Sequence, residues 1–199
     1  MADSSITKNA MAEAFKMLTA KMPFVKISVG NICSACGMSR KSFYYHFKDK
    51  EDLVNWIFET EFIERARHNV YESVWEAIND LIYYFYDNRI FYSKILKYEG
   101  QNSFSDYFNE LIHGVFFEQL QTIVKNPDAK DFQINFVADG MLCTLKRWLK
   151  SENCIPPDEL IEGLKSGAHM MASYVFQTLG ENQKEIVYFP QISESKESA

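Results

Sequence analysis

The stretch "SVGNICSACGMSRKSFYYHF", residues 28–47, decides how the chain is read. Ser28 has the side chain of a helix N-cap, and Val29, Ile32 and Cys33 give the helix after it one apolar side. Gly37 stands where helices commonly end in a left-handed residue, a conformation glycine takes without steric cost. Met38 turns inward, and Ser39 can cap a second short helix from Arg40 to about His46. A cap, a short apolar helix, a glycine turn and a second cap, in that order, spell a helix-turn-helix.

The second helix has two unlike faces. Phe43 and Phe47, at i and i+4, point together and anchor it to a core. Arg40, Lys41 and Tyr44 fall outward near its start, the end that enters a major groove in helix-turn-helix proteins. Arg and Lys donate to guanine O6/N7 or to phosphates, and tyrosine rings stack on sugars and thymine methyls. Tyr45, His46 and Lys50 flank that groove as phosphate donors. Ser28 and Ser39 bring hydroxyls and free backbone N–H groups to helix starts, which suits phosphate oxygens. A lone residue of this kind would be a solvated side chain, and either tyrosine alone a core ring. Four donors converging on one short helix point to nucleic acid.

The net charge of −6 fits that reading once it is divided along the chain. Residues 1–53 carry eight Lys/Arg against five Asp/Glu, whereas residues 54–199 carry thirteen against twenty-two. A basic head on an acidic body presents one end to a polyanion. Hydrophobic content of 47% and charged content of 24% belong to a globular chain. The polar opening "MADSSITKN" carries no leader pattern, and the longest uncharged stretch, Ser166 to Gly180, is too short to span a bilayer. A cytoplasmic protein with no membrane partner is expected.

The body reads as helices. Prolines stand at 23, 127, 156, 157 and 190, so Phe24 to Asn126 runs without one. No stretch sustains the alternation of a strand. Ile6, Ala10, Ala14 and Leu18 mark one helical stripe. Phe104, Phe108, Leu111, Val115 and Ile123 mark another, with Ser103 as its cap. A helix from Asp49 to about Asn69 joins the two halves. Asp131–Ser151 and Asp158–Gly180 form two more, separated by "ENCIPP". The fold class is all-α: an N-terminal three-helix helix-turn-helix domain (1–53), then a larger helical ligand-binding and dimerisation domain (54–182). Residues 183–199 read as a loosely held tail.

No cofactor or metal is expected. Cys33 and Cys36 form a C-x-x-C, but a zinc site needs two further ligands and a redox pair needs a βαβ setting. They read as small packing residues. The chain has no glycine-rich phosphate loop, G-x-S-x-G or H-E-x-x-H, so an enzyme is not expected.

"FVKISVGNICSACGMSRKSFYYHFKDKEDL", residues 24–53, resembles the DNA-binding domain of the TetR family of transcriptional regulators. The family pattern runs Thr-hydrophobic-x-x-Ile-Ala, then Ala-Gly-Val-Ser, then Leu-Tyr-Tyr-Tyr-Phe-x-x-Lys-Glu-x-Leu. Here stand Ser28, Val29, Ile32 and Cys33, then Cys36 to Ser39, then Phe43 to Phe47, with Lys50, Glu51 and Leu53. Cysteine replaces alanine twice, and His46 stands where a third tyrosine is common. The resemblance implies an all-α homodimer whose two heads grip half-sites of a near-palindromic operator in double-stranded DNA. It makes Ser28, Ser39, Arg40, Lys41, Ser42, Tyr44, Tyr45, His46 and Lys50 the candidate DNA contacts. It further implies a ligand-responsive repressor.

Phe91-Tyr92, Leu96, Gly100, Phe104, Gly140, Arg147-Trp148-Leu149, Pro157 and Glu159-Leu160 are similar to a subgroup that includes DhaS-type regulators. That similarity opens an alternative, an activator working with a protein co-regulator; a helical partner-binding protein without an operator is a third. For a small-molecule effector, the aromatic crowding of the central helices nominates Tyr84, Phe91, Tyr92, Phe104, Phe108, His113, Phe116, Trp148 and His169 as pocket residues. Small residues on the last helix, Gly163, Gly167, Ala168 and Ala172, with Met171 and Trp148, nominate a dimer interface.

Overall fold

The computed structural model describes residues 2–98, 100, 103–120 and 130–180. The expected tail at 183–199, Ile123 and the side chain of Phe116 lie outside the described residues. Among those described, ten α-helices succeed one another: α1 (Ala2–Lys21), α2 (Val29–Cys36), α3 (Arg40–His46), α4 (Lys50–Phe58), α5 (Glu64–His68), α6 (Val74–Asp87), α7 (Arg89–Ile95), α8 (Phe104–Leu120), α9 (Lys130–Lys150) and α10 (Pro157–Gly180). Among the described residues there is no strand, as the all-α reading requires. Contacts divide the chain into two compact units, Met1–Glu159 and Leu160–Ala199, the second holding most of α10.

The expected helix from Asp49 to Asn69 is a rod of three parts. A π turn, Glu59–Ile63, joins α4 to α5 without a break. α4 runs straight through residue 53, so no linker separates the head from the body of the first unit.

Local signals explain the helix ends. Asp49 Oδ1 accepts from Asp52 N at 2.7 Å and opens α4, and Ser73 caps α6. Ser103 caps α8 as its sequence suggests: its Oγ accepts from Asp106 N at 3.2 Å while Asp106 Oδ2 accepts from Ser103 N at 3.1 Å. α1 departs from the expected stripe. Ile6 is exposed, and Met11, Ala14 and Phe15 are buried. Phe15 selects this register, because its ring meets the edge of Phe91 on α7 at 5.8 Å and packs on Phe24 at 6.0 Å.

The core of the first unit is a cluster of rings centred on Phe58. It stacks on Phe62 at 5.4 Å and on Phe85 of α6 at 5.6 Å. Its edges meet Tyr92 of α7 at 6.2 Å, Phe104 of α8 at 5.3 Å and Phe108 at 5.7 Å. Each such pair adds about 0.5–1.5 kcal/mol beyond the area it buries. One side chain at the end of α4 therefore touches α6, α7 and α8 together.

Trp148 on α9 is also committed within its own subunit. It is buried, stacked on Tyr86 at 5.9 Å, and donates through Nε1 to Ile155 O at 2.8 Å. That bond ties the turn after α9 to the helix. Trp148, expected in an effector pocket or at a dimer interface, is thus seen here packed against Tyr86 and the turn after α9.

Phe58→Ala should cost about 3–5 kcal/mol, measured by urea unfolding. A loss below about 1 kcal/mol would mean that the surrounding rings close without it.

Candidate nucleic-acid interface

The backbone of the head obeys its caps. Ser28 Oγ accepts from Asn31 N at 3.2 Å while Asn31 Oδ1 accepts from Ser28 N at 2.9 Å, a reciprocal capping box. Gly37 lies at φ 71°, ψ 21°, the left-handed region, and turns the chain between α2 and α3. Ser39 Oγ accepts from Ser42 N at 3.0 Å and opens α3. Phe43 is fully buried and packs on Phe47 at 5.6 Å, which fixes the face α3 turns outward.

That outward face carries Arg40, Lys41, Tyr44 and Tyr45, all exposed. Tyr45 is 83% exposed and Tyr44 59%, unusual for rings of this size. Arg40 lies back over α2: a Cβ built on Gly30 would fall 2.6 Å from its Nη2. The glycine leaves room for the guanidinium to cross the preceding helix. His46 is half-buried, edge to face with Tyr45 at 4.9 Å. Ser42 is half-buried, its hydroxyl turned toward Met38 Sδ at 4.0 Å.

Two expected donors have other duties. Ser28 gives its O–H to Asn31 Oδ1 at 2.7 Å, so a phosphate could take that proton only by exchange. Lys50 is half-buried. Its Nζ donates to Phe24 O and Ile27 O, each at 3.0 Å, and sits 4.2 Å from the centre of the Phe24 ring. Burial lowers this ammonium's pKa from its ordinary value, opposed by the nearby charge of Glu51. An ammonium has three donors, so one N–H remains for a phosphate. Lys50 thus pins the loop before α2 and keeps one N–H for a further acceptor.

Some contributors to the head were not read from the sequence. Lys8 on α1 sits over the rings of Phe47 at 5.6 Å and Trp56 at 5.5 Å, closing the seam between α3 and α4. Lys94 on α7 donates to Thr19 O at 2.6 Å and Ala20 O at 3.0 Å, the favourable place for a cation at a helix C-terminus. Neither carries a local pattern that would reveal it.

The expected pocket residues fall into three groups. Tyr84, Phe91, Tyr92, Phe104 and Phe108 are buried and fill one another's space as core rings. His113 is half-buried on α8, its Nε2 3.8 Å from Asp139 Oδ1 on α9, beyond hydrogen-bond length. His169 belongs to the second unit and is exposed. Of the expected interface residues on α10, Gly163, Ala168, Met171 and Ala172 are exposed and Gly167 half-buried.

Cys33 is buried, which raises its thiol pKa, and Cys36 Sγ donates to Cys33 O at 3.6 Å. Among the described residues no three His, Cys, Asp or Glu side chains gather where they could hold a metal. No helix among them is long and apolar enough to cross a membrane.

Residues 13–57 match the family described as "Bacterial regulatory proteins, tetR family", and residues 72–169 match "Transcriptional regulator C-terminal region". The chain belongs to the TetR family, whose members are DNA-binding transcriptional regulators and not enzymes. Within it the chain is similar to the DhaS group. It is 33% identical over 122 residues to the HTH-type dhaKLM operon transcriptional activator DhaS of Lactococcus lactis subsp. lactis (strain IL1403). That match covers 60% of this chain and 65% of that protein, just under two thirds of its length.

The fold is also that of solved structures. The dihydroxyacetone kinase operon activator DhaS aligns with a TM-score of 0.60 at 24% identity, over 81% of this chain and 93% of that one. A TetR transcriptional regulator from Streptococcus agalactiae 2603V aligns with a TM-score of 0.63 at 22% identity, over 81% and 92%. Regulators of this family typically act as dimers.

Lys50→Ala should lower stability by about 1.5–3 kcal/mol through two lost charged hydrogen bonds, while Lys41→Ala leaves it unchanged. Thermal unfolding of the two variants side by side checks the contrast. Equal midpoints would mean that Lys50 serves DNA alone.

Proposed function

We propose that the protein is a dimeric, ligand-responsive repressor that presents two α2–α3 heads to a near-palindromic operator in the cytoplasm. The observation that carries this reading is the outward face of α3, where Arg40 and Lys41 stand beside two large rings left in solvent. In the proposed complex α3 enters the major groove. Arg40 and Lys41 read base edges, and Tyr44 and Tyr45 pack on sugars and methyl groups. His46, Ser39, Ser42 and the third N–H of Lys50 take phosphates.

Exposed apolar residues support dimerisation. Phe132 and Phe136 are exposed on α9, and Met170 and Met171 on α10 beside Gly163, Ala168 and Ala172. A second copy of the chain is the proposed cover for both faces.

For the effector, α8 offers chemistry that the aromatic core does not. Ser105 Oγ, Asn109 Oδ1 and His113 Nε2 are buried with no hydrogen-bond partner among the described residues, and their i, i+4, i+8 spacing sets them on one helix face. Buried polar atoms are normally paired. This row is the proposed contact line for an effector bearing hydrogen-bonding groups, in place of the largely apolar ligand that aromatic crowding suggested.

The DhaS relative is an activator by its description, which keeps the opposite sign of regulation, with a protein co-regulator, as the second reading. Transcript levels in a strain lacking the gene distinguish them: targets rise for a repressor and fall for an activator.

Selection of bound duplexes from a random pool should return a near-palindrome. Arg40→Ala and Lys41→Ala should each weaken its binding by about 1–3 kcal/mol. A pool that yields no preferred sequence would refute operator recognition. Asn109→Leu should raise the melting temperature by removing a buried unpaired carbonyl; a fall would show the amide to be satisfied and remove its support for an effector row.

A further inference from the structure

The rod that leaves the head changes its winding at the π turn Glu59–Ile63. Such turns are rare and occur mostly singly within α-helices, often at functional sites. This one sends two carboxylates in different directions. Glu59 Oε2 accepts from Tyr107 Oη on α8 at 2.8 Å, and Oε1 pairs with Arg67 at 2.7 Å. Glu61 faces the head: Oε1 holds the ammonium of Lys16 on α1, and Oε2 accepts from Tyr84 Oη on α6 at 3.1 Å.

The direction of this chain of bonds can be deduced. A carboxylate only accepts, so Tyr84 gives its O–H to Glu61. The phenol of Tyr92 on α7 lies 2.7 Å from Tyr84 Oη and must then be the donor between them. Burial pushes both phenols well above the ordinary tyrosine range, which keeps them protonated as donors. The line runs from α7 through α6 and the π turn to α1, and α1 packs on α2.

We propose that Glu61 is a positioning residue for DNA recognition, tying α1, and with it the α2–α3 head, to the tyrosine pair in the body's core. The inference rests on the reading of α3 as the DNA-contacting helix. Lys16 and Glu61 lie 45 residues apart in the chain, so their bond sets the angle between structures that no short loop constrains. A displacement of α6 or α7 alters the hydroxyl that Glu61 accepts and loosens its hold on Lys16. The head then loses its fixed orientation while keeping its own fold and surface charge.

The test compares variants on the operator selected from the random pool, on an unrelated duplex and in urea unfolding. Glu61→Gln keeps an oxygen for Tyr84 but loses the ionic hold on Lys16. Specific affinity should fall about ten-fold, the size of effect expected for an interior coupling residue. Affinity for the unrelated duplex should stay at the wild-type value and the unfolding midpoint should fall only slightly, because Lys16 and Glu61 keep 22% and 32% of their side-chain surface in water, where the freed ammonium can be solvated. The exchange Lys16→Glu with Glu61→Lys should restore most of the specific affinity, since the relocated ammonium can donate to Tyr84, which then donates to Tyr92.

Unchanged specific affinity in Glu61→Gln would overturn the proposal. So would a parallel loss of both affinities with a markedly lower unfolding midpoint, the mark of a merely structural contact. An exchange that rescues nothing would also overturn it. A wild-type protein that selects no duplex would instead sink the reading of the head.

Discussion

α4 is about 13 Å long at 1.5 Å per residue, and its two ends hold different parts of the molecule. At its start Lys50 draws in the carbonyls of Phe24 and Ile27, fixing the loop that leads into α2. At its end Phe58 is enclosed by rings from α6, α7 and α8. The stability of the body and the placement of α2 and α3 therefore share one rigid element. A hinge at the domain boundary drawn from the sequence would have separated them. Burying Leu53, Val54, Ile57 and Phe58 along α4 prevents it.

This constraint decides where polar groups can go. Rings fill the centre of the first unit, so hydroxyls there need partners close by. Tyr84 and Tyr107 find them at the π turn, where Glu61 and Glu59 accept their O–H groups, and Tyr92 donates to Tyr84. Residues i and i+2 lie on opposite sides of a helix, so Glu59 serves α8 on one side and Glu61 serves α6 with α1 on the other. α8 is less completely served: Tyr107 is paired, while Ser105, Asn109 and His113 find no hydrogen-bond partner among the described residues.

The helix-turn-helix was legible because each of its parts is local. Ser28, Gly37 and Ser39 act on backbone within four residues, and the i, i+4 pair Phe43 and Phe47 declares which side of α3 is inward. What sequence reading missed depends on distant partners. Lys50 looks like a surface cation until Phe24, 26 residues away, supplies its acceptor, and Lys94 reaches a carbonyl 75 residues distant. The period of α1 allowed Ile6 as well as Met11 on the buried side; the position of Phe91 chose. Aromatic content could not say whether Tyr84, Phe104 and Phe108 surround a ligand or one another, because both arrangements need the same residues. The partner of Trp148 was hidden for a similar reason, since the carbonyl of Ile155 lies in an irregular segment with no helical period.

Electrostatics shows why an acidic chain can still present this head to DNA. Repulsion from the body matters only where its carboxylates lie within a Debye length of the phosphates, roughly 8–10 Å in physiological salt. The carboxylates of the π turn, on the rod that leaves the head, are already engaged. Glu59 is paired with Arg67 and Glu61 with Lys16, and on the neighbouring α6 Asp80 is paired with Arg65. Each pair contributes little to stability by itself. Together they neutralise acidic groups carried on the rod and beside it, at the cost of one cation of the head, Lys16. The net charge of −6 describes the whole chain, whereas DNA meets the local field.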